Sequence, residues 1–156
     1  MIYKAPEEVI NNPNKPKVFL AGSIEMGKAE NWQDRVGDKF NEMGYDVFNP
    51  RRDDWDSSWE QSYDNKNFRE QVEWEMRNLS NSDLMFFYFD PNTKSPITLY
   101  ELGYATAWHI GFNKEVVVVC PKDFYRYGNL EVYSKSFDGF HLFNTEKEAF
   151  DFIDHI

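Results

Sequence analysis

Apolar residues in this chain fall into two patterns that alternate along its length. One is a short unbroken run, and the other returns every three or four positions. Residues 17–21 (KVFLA) form a brief run ended by Gly22, which predicts a buried strand. Trp32, Val36, Phe40 and Met43 then recur at helical spacing over about 31–43, with Gly44 as a C-terminal stop. A second strand is predicted over 45–48, closed by Asn49 and Pro50. Residues 51–65 are charged, Trp-rich and weakly periodic, as expected of a loop laid over a ligand. A helix over roughly 66–79 precedes the run 83–89 (DLMFFYF), whose continuous apolarity suits a central strand covered on both faces. Further on come a helix over about 96–110, a strand at 115–120 (EVVVVC) and a short fifth strand at 140–143. Thr145 and Glu148 form a capping box that opens a last helix, with Ala149, Phe152, Ile153 and Ile156 as its apolar face.

Strands alternating with helices predict an α/β fold, a three-layer sandwich around a mostly parallel five-stranded sheet. Right-handed crossovers favour a flavodoxin-like strand order, with a switch point between the first and third strands. Ligands bind such sheets at the carboxyl ends of the strands beside that point. Two segments meet there: Gly22 and Ser23 after the first strand, and residues 90–101 after the third.

Length and composition narrow the classes. With 156 residues, a single domain over 1–156 is expected, the proline- and asparagine-rich stretch 1–16 being an irregular lead-in. Aromatic residues make up 18% of the chain, which excludes a disordered one. The formal charge of −10 argues against duplex DNA or RNA as a partner, since such binders present a basic face. A small anion is still compatible, because a local pocket of backbone amides can oppose the global field. A single cysteine, Cys120, excludes an intrachain disulfide and suits a reducing compartment. No run is long enough to span a membrane and the N-terminus has no signal-peptide core, so a cytoplasmic protein is expected.

The candidate chemistry is concentrated around the third predicted helix. Ser95 and Pro96 suit the N-cap and first helical positions. The same helix start, with free amides and a positive dipole end, suits an anion such as phosphate, and the two roles are compatible. Glu101 lies in the second turn of a helix that is apolar on much of its circumference. Gly103, inside the helix, predicts close packing there. A carboxylate at the edge of such a site could act as nucleophile or base. On the preceding helix Glu73 and Glu75 flank Trp74, and either could reach the ligand or be plain surface charge. The three histidines show no metal-ligand spacing with one another or with Cys120, so neither metal nor cofactor is expected. Gly22, Ser23 and Ile24 make a glycine turn without the dinucleotide fingerprint, and Asn49, Pro50 and Arg51 stand where that fold needs an acid.

Five short motifs carry a family resemblance: Phe19 to Ile24 (FLAGSI), Phe48 to Arg52 (FNPRR), Gln71-x-x-Trp74-Glu75, Asp83 to Phe87 (DLMFF), and Ser95-Pro96 followed by Glu101 to Ala105 (ELGYA). In this order and on these elements, the chain over about 17–120 resembles the nucleoside 2-deoxyribosyltransferase-like family. That resemblance implies a flavodoxin-like fold and cleavage of the N-glycosidic bond of (deoxy)nucleosides or their 5′-monophosphates. It makes Glu101 the nucleophile at C1′, through an oxocarbenium-like transition state and a covalent glycosyl-enzyme. Glu75 falls where the family places the acidic residue that assists the departing base, although other members carry aspartate there.

The switch point and the matched motifs together make Gly22, Ser23, Ile24, Asn49, Arg51, Asp90, Ser95 and Pro96 the expected substrate-binding residues. Free-nucleoside transferases of the family commonly carry aspartate six residues before the nucleophile. Here Ser95 stands in that position, as in the related 2′-deoxynucleoside 5′-monophosphate N-hydrolases, which bind phosphate with it and with the serine matching Ser23. A monophosphate is therefore slightly favoured, since aspartate would repel a phosphate dianion. Arg51 or Arg52 would add positive charge unless paired with Asp53 and Asp54, and Trp32, Trp55 or Trp59 would stack on the base unless packed in the core. Relatives are usually dimers or larger, so a homodimer or higher homo-oligomer is expected. Two other readings use the same switch point: a non-catalytic nucleotide-sensing module, and an NAD glycohydrolase.

Overall fold

The computed structural model describes residues 1–24 and 30–156. Its elements run β1 (Ile2–Lys4), β2 (Lys17–Gly22), α1 (Trp32–Glu42), β3 (Asp46–Asn49), α2 (Lys66–Asn81) and β4 (Leu84–Tyr88). They continue as α3 (Pro96–Gly111), β5 (Glu115–Val119), α4 (Tyr127–Ser136), β6 (Phe140–Phe143) and α5 (Glu146–Ile153). All strand pairs are parallel, in the order β1-β3-β2-β4-β5-β6. Leaving β1 aside, this is the flavodoxin-like order, and the direction of winding reverses between β2 and β4.

Two expectations change. The sheet has six strands rather than five, because Ile2–Lys4 of the supposed irregular lead-in pairs with β3 at the edge. Three residues are too few to register as a periodic run, so the pairing comes from tertiary contact. The helix α4 has no counterpart in the sequence pattern: Leu130 is its one buried residue, so no apolar stripe marks it. In α5 the buried residues are Ala149, Phe150 and Ile153, whereas Ile156 lies beyond the helix and exposed.

Alternation along each strand divides the core between the two faces of the sheet. Phe19, Phe48, Met85 and Phe87 pack with Trp74 of α2 and Leu102 of α3. Val18, Leu20, Val47 and Phe86 pack with Trp32, Val36 and Phe40 of α1 and Phe150 of α5. The layer holding α2 and α3 is the one that carries the candidate acids. Among the described residues no helix is long and apolar enough to cross a membrane.

Candidate active site

At the switch point Gly22 of β2 lies beside Tyr88 of β4. A Cβ on Gly22 would stand 2.3 Å from the Tyr88 carbonyl oxygen and 2.5 Å from the Trp32 ring, so this close approach requires glycine. The backbone N–H of Ser23 then donates to the Tyr88 carbonyl at 3.0 Å, and its own carbonyl accepts from Trp32 Nε1 at 3.1 Å. These contacts turn the fully buried Ser23 hydroxyl towards the segment that precedes α3.

There it accepts from the Asp90 backbone N–H at 3.0 Å and meets Thr93 Oγ1 at 2.8 Å and Ser95 Oγ at 2.6 Å. Thr93 Oγ1 and Ser95 Oγ are 2.8 Å apart, closing a triangle of hydroxyls, and Thr93 also donates to the Asp90 carbonyl at 2.9 Å. Ser95 precedes α3 but its side chain does not cap the helix. That corrects the capping expectation: the hydroxyl is turned to Ser23 and Thr93, and only the Ser95 carbonyl joins the helix, accepting from Leu99. Its backbone sits in the left-handed region at φ 46°, a strained choice for a non-glycine residue. Pro96 follows at the first helical position.

Glu101 projects from the second turn of α3, and Glu75 from α2, which packs beside it. Both carboxyls are enclosed by protein yet keep partial solvent contact. Burial, and then the charge of Glu75, pushes Glu101 well above the usual carboxylate range. Burial raises Glu75 as well, opposed by a hydrogen bond from Gln71. Two carboxyls that feel each other's charge in a poorly solvated site both favour the neutral form and titrate as a pair. Glu73, by contrast, is exposed and pairs with Arg69 at 3.8 Å. Gly103 meets nothing within 4 Å, so the close packing expected there is absent from the described chain.

The remaining expected residues are spread more widely. Asn49 and Arg51 sit towards α1: Asn49 Oδ1 accepts from the Arg51 backbone N–H at 2.9 Å, and the Arg51 guanidinium donates to Gln33 Oε1 at 3.3 Å. Their side chains thus face α1, while the carbonyl of Pro50 between them is linked through Gln71 to Glu75. Arg52 is held by both carboxylate oxygens of Asp54, at 2.8 and 2.9 Å, and lies over the Trp59 ring. Trp32 is core, stacked on Tyr88 with ring centroids 5.1 Å apart, while Trp55 and Trp59 pack edge to face in the loop after β3. Ile24 is half-buried next to the last residue of the triangle from β2.

Thr93 and Gln71, the latter named above only as the start of a motif, also touch these groups. Nothing periodic marks Thr93, whose role depends on the turn that brings it to Ser23. Gln71 could have been found, because it lies one helical turn before Glu75 and so shares its face. Among the described residues no group of His, Cys, Asp and Glu could hold a metal ion. The Cys120 thiol is pushed up to about 12 by burial and then by Asp123, which leaves it inert. A cavity of about 640 Å³ lies between Glu7, Val9 and Asn11 on one side and Trp74, Arg77 and Asn81 on the other, but Glu75, Glu101 and the triangle hydroxyls do not line it.

No curated protein matches the chain. A family model described as nucleoside 2-deoxyribosyltransferase like matches residues 15–124, from just before β2 to just after β5. That span holds the glycine turn, the hydroxyl triangle and both glutamates, and it covers more than half of the chain. The protein therefore belongs to the nucleoside 2-deoxyribosyltransferase-like family.

Proposed function

We propose that the protein cleaves the N-glycosidic bond of a 2′-deoxynucleoside or its 5′-monophosphate and passes the 2-deoxyribosyl group to another base or to water. The observation that carries this reading is the pairing of Glu75 and Glu101. They are two carboxyl groups from neighbouring helices, largely enclosed by protein and raised by that desolvation, next to the switch point of a parallel sheet. In the first step the Glu101 carboxylate attacks C1′ as the C1′–N bond breaks, and the Glu75 carboxyl gives its proton to the departing base. In the second, water or an incoming base attacks C1′, Glu75 takes a proton from it, and Glu101 is released.

A 5′-monophosphate is favoured by the triangle of Ser23, Thr93 and Ser95 at the start of α3, where three hydroxyls from two segments meet beside the first-turn amides of the helix. Self-association over α3 also belongs to this reading. Ile97, Tyr100, Tyr104, Trp108 and Phe112 are exposed along one face of that helix, at 66, 79, 43, 40 and 62%. Glu101 is the only acidic residue of α3 and it has no Lys or Arg, so copies that each carry −10 could meet there with least repulsion.

The test is a panel of deoxynucleosides and deoxynucleoside monophosphates, with and without an acceptor base, monitored for released or exchanged base. Turnover that is lost in Glu101→Ala is the expected result. Tight binding with no turnover on any substrate would support the nucleotide-sensing reading, and released nicotinamide from NAD would support the glycohydrolase.

A further inference from the structure

Gln71 is 5% exposed and lies one helical turn before Glu75 on α2. Its Nε2 donates to the Pro50 carbonyl at 2.7 Å and to Glu75 Oε1 at 2.8 Å, which uses both amide hydrogens. A backbone carbonyl only accepts, so the bond to Pro50 fixes which end of the amide is nitrogen and directs the second hydrogen to Glu75. Gln71 Oε1 is left buried with no partner. An unmet buried acceptor is costly, so the amide is held in this orientation by its two donated bonds and not by its oxygen.

We propose that Gln71 is a positioning residue for proton transfer: anchored on Pro50 and donating to Oε1 of Glu75, it confines the transferable proton of Glu75 to Oε2 and aims it at the departing base. This rests on the proposed function, in which Glu75 is the acid. An oxygen that already accepts an N–H is the poorer site for a proton, so the neutral acid carries its hydrogen on the other oxygen. The bond also favours the ionised form, and so opposes the burial that raises Glu75. Glu101 on α3 is the charged group facing this carboxyl, and Gln71 itself adds no charge.

The experiment compares the unsubstituted protein with Gln71→Leu and Gln71→Met, which keep much of the volume and remove the donor. Two substrates are used, a 2′-deoxypurine monophosphate and its N7-methylated counterpart, whose cationic base leaves neutral without taking a proton. The expected result is a fall in kcat/KM of about 10- to 100-fold on the ordinary substrate. Turnover of the methylated one should change by less than about 3-fold, which also reports that the variant is folded. Equal losses on both substrates, or no loss on either, would overturn the proposal. A second readout does not need turnover: carbon NMR of labelled glutamate should show Glu75 titrating at higher pH in both variants, and an unchanged titration counts against the role. If the unsubstituted protein turns over neither substrate, the glycosidic reading fails, while the NMR result still decides whether Gln71 governs the Glu75 proton.

Discussion

Ser23 and Ser95 are 72 residues apart in the chain and 2.6 Å apart in space, and their contact ties the end of β2 to the start of α3. It fixes the helix that bears Glu101 relative to the switch point, and it presents hydroxyls where aspartate would present charge.

Ser95→Asp should therefore move substrate preference away from the monophosphate. The ratio of kcat/KM for a deoxynucleoside monophosphate to that for the free nucleoside is expected to fall by about 100-fold, roughly 3 kcal/mol of lost charge-assisted hydrogen bonding and added repulsion. Steady-state kinetics on matched substrate pairs would check this, and an unchanged ratio would remove phosphate from this end of the helix.

Gly22→Ala should be among the most destabilising single-methyl additions in the chain. The new Cβ would be driven into the backbone of Tyr88 and the ring of Trp32, neither of which can yield without opening the sheet. A loss of about 3 kcal/mol is expected in denaturant unfolding, together with loss of activity.

The glutamate pair also makes stability depend on pH. Both carboxyls titrate higher in the folded protein than in the unfolded chain, so the native state binds more protons between the ordinary carboxylate range and about 7 to 8. Stability from this pair is then fully present at acidic pH and is lost as pH rises through that window. Glu101→Gln removes the charge while keeping the shape, and should raise Tm at pH 8 by on the order of 5 °C, with the gain vanishing near pH 4. Thermal melts of both proteins across that range measure it. Activity should follow a bell, lost at low pH when both carboxyls of the pair are protonated and at high pH when both are ionised.

If copies associate over α3 as proposed, Trp108→Glu should abolish that association, because it places charge on the exposed apolar face of the helix. Sedimentation analysis of the variant should return a single-chain mass. Gly103→Ala, where an added methyl meets nothing within 4 Å, should instead stabilise the isolated chain by about 1 kcal/mol.

Much of this fold is legible in the sequence because its central strands are covered on both faces. Unbroken runs such as 83–89 and 115–120 announce themselves, and the capping box at Thr145 marks the last helix. What escapes is held by contacts rather than by pattern. The strand β1 is three residues long, and α4 buries one side chain. At the site, the five motifs single out Glu101 and Glu75. The αL backbone of Ser95, the part played by Thr93 and the siting of Arg51 against α1 depend on how distant segments meet, so local propensity misreads them. Gly103 misled in the other direction, because the helix around it is apolar towards solvent as well as towards the core.

The most direct test of the nucleophile is mass spectrometry of the protein quenched during turnover of a deoxynucleoside or its monophosphate. A deoxyribosyl adduct on the peptide containing Glu101, absent from Glu101→Ala, which has also lost turnover, is the predicted result. Turnover that persists in Glu101→Ala, or an adduct mapped to another residue, would contradict it.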